Sequence, residues 1–146
     1  MKKVTLLLIS FITLGVSVAK GNDALTAFAN LHQIDGSKIK ASLVLLETET
    51  GITVTGVASG LDPNTPYGSL AYDLGAVPAG PNACLPTASA PGFLGFWDVK
   101  PDGTGTLNAT TGGFGVNDIG AVSIRIFSDT GPRPLQACGR VHVQDG

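Results

Sequence analysis

Histidine is nearly missing from this chain: His32 and His142 are the only two in 146 residues. Transition-metal centres usually gather three or four imidazole, thiolate or carboxylate ligands, so a histidine-rich site is excluded. Two edge or solvated side chains is the reading of this pair. Cysteine is as scarce, with Cys84 and Cys138 alone, and Trp97 is the single tryptophan. Charged residues make up 14% of the chain, and no basic run follows Lys2-Lys3. Nothing therefore supports nucleic-acid binding or attachment to an anionic membrane. No Gly-x-Ser-x-Gly elbow is present, so serine hydrolase chemistry has no support. No segment sustains helical periodicity, which excludes a helical bundle. Internal repeats, low-complexity tracts and signs of a second domain are also lacking.

What is present begins with an export signal. Lys2 and Lys3 precede an uncharged apolar run over residues 4–18, and Ser17-Val18-Ala19 ends it with small residues where a signal peptidase reads. This order predicts a signal peptide over residues 1–19. The run is too short for a membrane anchor of about 20 apolar residues, and no cysteine follows it to carry a lipid. The expected product is a secreted or periplasmic domain, residues 20–146, with no membrane insertion after cleavage. Losing Lys2 and Lys3 reduces nine basic residues to seven against eleven acidic ones, a net charge of −4.

Twenty glycines and nine prolines cut the remainder into short segments. Short apolar-alternating runs between turn signals are the mark of an all-β sandwich or barrel. Strands are expected at residues 24–32, then from 39, from 52, and at 67–73, 93–99, 104–110, 121–128 and 136–143. Asp35-Gly36-Ser37 is the first hairpin signal, and Gly56 interrupts the alternation of the third strand as a bulge would. Eight strands with two connections longer than hairpins point to an eight-stranded Greek-key β-barrel or sandwich. The longest connection, residues 75–92, is rich in Gly, Pro and Ala and carries Cys84. In an exported chain two cysteines are expected to pair; the alternative is two unpaired buried side chains acting as small apolar groups. A bond would close a loop of about 55 residues and contribute roughly 4 kcal/mol.

Gly56-Val57-Ala58-Ser59-Gly60-Leu61, then Tyr67-Gly68, then Cys84 in a long loop, then Ala137-Cys138-Gly139 near the end together resemble the copper/zinc superoxide dismutase family. The resemblance spans most of the mature chain. It implies an eight-stranded Greek-key barrel with a Cys84–Cys138 disulfide anchoring the long loop to the last strand. The family's metal chemistry does not carry over. Its copper-binding His-x-His pair on the fourth strand corresponds to Leu70 and Tyr72, and its seventh-strand ligand falls at or beside Phe127. The long loop contains no histidine, and the zinc aspartate falls near Gly95, three residues from Asp98. The arginine that guides the anion corresponds to Leu135, with Arg133 two residues out of register, and the charged loop before the last strand shrinks to residues 129–134. Leucine and phenylalanine supply no ligand, and a neutral tyrosine is a poor one.

The resemblance therefore implies a non-catalytic relative with no metal or other cofactor, serving a binding or structural role toward an unknown protein or small ligand. The alternative is a metal-binding protein or enzyme with a rebuilt site at Tyr72 and Asp73. An oligomeric state is not assigned. Among the leftover residues, Asp62, Asp73, Asp98, Asp102, Asp118 and Asp129 read as turn formers. Phe93, Phe96 and Trp97 read as a core or barrel-end plug, or else as an exposed aromatic patch. Asn108-Ala109-Thr110 is a glycosylation sequon by pattern.

Overall fold

A computed structural model of the protein describes residues 24–34, 36–73, 84, 90, 92–128 and 131–144. The expected signal peptide at 1–19, Asp35, Asp129 and most of the 75–92 connection lie outside the described residues. Nine strands are described: β1 Thr26–Gln33, β2 Lys40–Glu47, β3 Gly51–Ser59, β4 Tyr67–Asp73, β5 Gly92–Phe96, β6 Asp98–Val99, β7 Gly105–Gly112, β8 Ile119–Ile126 and β9 Leu135–Gln144. They form one antiparallel sheet in the order β5-β4-β8-β9-β1-β2-β3-β7-β6. The two ends of that order, β5 and β6, are consecutive in sequence and separated only by Trp97, so the sheet nearly closes on itself as a barrel.

The extra strand has a local cause. The single segment expected at residues 93–99 changes partner midway: Gly68 of β4 faces Phe96, whereas Asp98 and Val99 face Thr106 and Gly105 of β7. Trp97 is the corner. Its backbone N–H donates to the Tyr67 carbonyl at 3.0 Å, and its ring turns into the barrel, leaving 6% of the residue exposed. Trp97 Nε1 donates to the Oγ of fully buried Ser69 at 2.8 Å, so both polar groups inside the barrel are satisfied. The core-plug reading therefore holds for Trp97.

The same ring explains why Gly56 is not a bulge. β3 pairs with β2 and β7 in unbroken register through Gly56, opposite Leu43 and Leu107. The residue faces inward, where a Cβ would lie 2.8 Å from the Trp97 ring. Gly56 keeps the alternation and replaces a core side chain with space for tryptophan. The register shifts fall elsewhere, between Ser69 and Leu70, Tyr72 and Asp73, and Ile124 and Arg125.

Period-two patterning built the rest. Ala27, Ala29 and Leu31 on β1, Ala41, Leu43 and Leu45 on β2, and Ile52, Val54 and Ala58 on β3 all point inward, the alternation expected of strands with one buried face. β8 is different: its first six residues are all buried. Val122 and Ile124 face the barrel, whereas Ala121 belongs with Tyr72, Cys84 and Cys138 to a second apolar cluster. That cluster lies outside the barrel, where Cys84 packs on the sheet. Val116, in the 3₁₀ turn Val116–Asp118 before β8, is fully buried at the barrel's end. The expected seventh strand ends earlier than residue 128, because Ile126 and Phe127 turn their N–H groups to the carbonyls of Pro134 and Pro66.

Candidate binding face on the outer side of β4 and β8

Cys84 and Cys138 are disulfide-bonded with their Cα atoms 5.9 Å apart. Cys138 faces Ser123 of β8 and His32 of β1 across the ladder. A residue of the long connection is thereby held over the outer face of β4, β8 and β9. Ser123 in turn faces Leu70, and Tyr72 faces Ala121, so Leu70, Tyr72, Ser123 and Cys138 share that face.

At its centre is a polar network. The Tyr72 hydroxyl lies 3.0 Å from Ser123 Oγ, with both groups buried. Arg125, two residues beyond Ser123 and on the same face, donates Nε to the Tyr72 hydroxyl at 2.8 Å. Its two terminal nitrogens donate to the carbonyls of Arg133 at 2.8 Å and Cys84 at 3.1 Å. One guanidinium thus ties together β4, β8, the segment entering β9 and the disulfide-bearing connection. Bonds from a charged donor are shorter and stronger than neutral ones. No buried side-chain N or O atom among the described residues is left without a partner.

The three positions singled out in the sequence share this face but do not converge. Leu70 and Tyr72 sit against Ser123 and Ala121. Phe127 lies beyond β8 at the far end of β4, its ring over Gly68, with Tyr67 facing Ile126 and Tyr72 facing Ala121 to mark the separation. The β8 side chains beside the Leu70–Tyr72 pair are Ser123 and Arg125. Sequence reasoning missed both; the signal available was their period-two spacing with Phe127. The Tyr72 hydroxyl is engaged by Ser123 and Arg125. The histidines lie where the strand order placed them, with His32 opposite Cys138 and His142 opposite Phe28 across the β1–β9 ladder. No group of three His, Cys, Asp or Glu side chains able to hold a metal occurs among the described residues.

Beside the network is an aromatic trio. Ring centroids of Phe93 and Phe96 are 4.9 Å apart, those of Phe93 and Phe127 5.3 Å, and those of Phe96 and Phe127 5.8 Å. The Arg133 guanidinium lies 4.4 Å from the Phe127 centroid, within cation–π range. The patch alternative therefore applies to Phe93 and Phe96, which are exposed, while Trp97 is core.

Three of the aspartates, Asp62, Asp102 and Asp118, bond within their own turns. Asp62 Oδ1 accepts from the Asn64 N–H at 2.9 Å, its Oδ2 accepts from Thr65 Oγ1 at 3.0 Å, and Asp118 accepts from the Gly115 N–H at 2.8 Å. Asp102 Oδ1 accepts from Thr104 Oγ1 at 2.7 Å and from the Thr104 N–H at 2.9 Å. These bonds, the hydroxyl first, hold the Asp102 carboxyl below its usual range, with a smaller contribution from Lys100. Asn108 is exposed on β7, opposite Thr55.

Neither the protein-family models nor the curated proteins contain a match to this chain. No helix among the described residues is long and apolar enough to cross a membrane.

Proposed function

We propose that the protein is an exported, non-catalytic domain of the copper/zinc superoxide dismutase-like type. In this reading, the outer face of β4 and β8 is given over to binding or to a structural role in the cell envelope or outside the cell. The observation that carries the reading is Arg125. A family member would seat copper against the side chains at positions 70 and 72, and here a guanidinium donates to the Tyr72 hydroxyl at 2.8 Å. A fixed cation within hydrogen-bond reach of the only oxygen ligand offered by that pair repels a second cation.

Further support comes from the strand order. Counting β5 and β6 as one strand broken at Trp97 gives eight around the barrel, with β3–β7, β4–β8 and β9–β1 as non-sequential neighbours, as a Greek-key connection requires. The disulfide joins the two cysteines that the resemblance pairs. An oxidising compartment suits that bond, in keeping with a signal peptide over residues 1–19.

The test is elemental analysis and a superoxide assay on the oxidised protein exported with copper in the medium. The expected outcome is far less than one copper per chain and no dismutation above buffer. About one copper per chain, lost in Tyr72→Phe, would refute the reading and establish the rebuilt-site alternative.

A further inference from the structure

All three arginines of the chain lie between positions 125 and 140, and two of them meet beside the aromatic trio. Residues 20–146 carry a net charge of −4, so a guanidinium held on an exposed aromatic group stands apart from the chain's overall sign. The outer face of β1–β3 also exposes apolar side chains, Phe28, Val44, Leu46 and Val57, and Lys40 beside Val57, but it has no counterpart of the Arg133 guanidinium stacked on an aromatic ring.

The patch is built to stay in place. Gly68 forms its floor: a Cβ there would lie 2.8 Å from the Phe127 ring and 3.0 Å from the Phe93 ring, so both rings settle on bare backbone. Phe96 stands beside them with 64% of its surface exposed. Arg133 is flanked by Pro132 and Pro134, which fix φ on either side. Its carbonyl accepts from Arg125 at 2.8 Å, and the Pro134 carbonyl accepts from the Ile126 N–H at 3.1 Å. The exposed cation over Phe127 is therefore mounted on anchored backbone. A group ordered before binding loses less entropy on binding. A ring contact engages the charge of a guanidinium, and its planar fork of N–H donors suits a carboxylate. Aromatic and arginine side chains are also the ones that dominate binding energy at interfaces.

We propose that this patch docks a short peptide segment of a partner protein that presents a carboxylate next to an aromatic or aliphatic side chain. The carboxylate pairs with Arg133, and the apolar side chain lies on Phe96 and Phe93. A second copy of the chain docked face to face would set one Arg133 against another, a like-charge contact that disfavours that pairing. An anionic bilayer would face the long-range repulsion of a negatively charged domain. The proposal rests on the reading of this face as a binding surface and adds the chemistry of what it binds.

The experiment uses the full oxidised mature chain, isotope-labelled for NMR, titrated with three blocked peptides: Gly-Glu-Phe-Glu-Gly, Gly-Lys-Phe-Lys-Gly and Gly-Glu-Ser-Glu-Gly. The glutamate–phenylalanine peptide is expected to shift the amide signals of Phe96, Phe127 and Arg133 and to bind about tenfold more tightly than either of the others. Phe96→Ser should lower that affinity about tenfold while leaving the emission of buried Trp97 unchanged, which shows the fold intact. Arg133→Glu should reverse the preference toward the lysine peptide, a result that loss of structure alone would not produce. Equal binding of the three peptides, shifts confined to β1–β3, or an unreversed preference in Arg133→Glu would overturn the proposal. So would concentration-dependent dimerisation through the patch, or stronger binding to phosphatidylglycerol vesicles than to the peptides. Absence of peptide binding in a copper-free protein removes this proposal alone, whereas copper held at Tyr72 removes the reading beneath it.

Discussion

Replacing Arg125 with methionine keeps most of the apolar stem and removes three hydrogen bonds at once, those to the Tyr72 hydroxyl and to the carbonyls of Arg133 and Cys84. Bonds from charged donors contribute about 1.5–3 kcal/mol each when buried. Arg125 is partly exposed, and solvent screening reduces each to roughly 1 kcal/mol. A loss of about 2–3 kcal/mol follows, read as a lower urea midpoint at unchanged slope. The diagnostic part is its dependence on the disulfide. With Cys84→Ser and Cys138→Ser together, the Cys84 carbonyl is no longer tethered over Arg125, and water reaches the Tyr72 end of the network. The methionine substitution should then cost only about 1 kcal/mol, a coupling of 1–2 kcal/mol where independent sites add to within about 0.5 kcal/mol. Arg125→Lys should recover less than half of the loss, because one ammonium does not span three acceptors on different segments. Simple additivity in the cycle would refute the view that this guanidinium and the disulfide fasten the same connection.

Breaking the disulfide itself, by Cys138→Ser or by reductant, should cost roughly 4 kcal/mol from the loop-closure argument with a sequence separation of 54; two titratable thiols in the folded oxidised chain would contradict the bond. Gly56→Val should destabilise by about 1–3 kcal/mol through overpacking and shift Trp97 emission, since the new side chain enters the space of that ring; an unchanged midpoint and spectrum would show that the ring does not rest there. Asp102 has a depressed folded-state pKa, so its contribution to stability is full above the unfolded value and is lost as pH falls through the folded one. NMR titration should place it below the ordinary aspartate range, and Thr104→Val, which removes the largest cause, should raise it.

Much of this protein was legible in the sequence because strand patterning and turn chemistry are local. Alternating apolar residues located β1, β2 and β3, and Gly and Pro placed the turns. The Asp62, Asp102 and Asp118 carboxylates bond backbone or hydroxyl groups within three residues, a range that sequence spacing conveys. The two cysteines and the expectation of export were enough to expect a disulfide, since compartment sets the preference for that bond.

Tertiary structure decided what depends on distant partners. Gly56 reads as a bulge in its own strand, and only the arrival of Trp97 from 41 residues away makes it a space-giving core position. The expected fifth strand reads as one segment, yet barrel closure requires it to serve β4 and then β7, and it divides at Trp97. Phe93 and Phe96 are sequence neighbours of that buried tryptophan, yet both lie on the outer face, because the register shift opposite Ser69 and Leu70 breaks the alternation between them and Gly68 leaves room beneath the rings. Arg125 gave no local sign of its role, since its acceptors lie 53, 41 and 8 residues away. Local preference determined the elements because it acts through neighbouring backbone; the face they present was decided by long-range packing and hydrogen bonds that exist only once the sheet has closed.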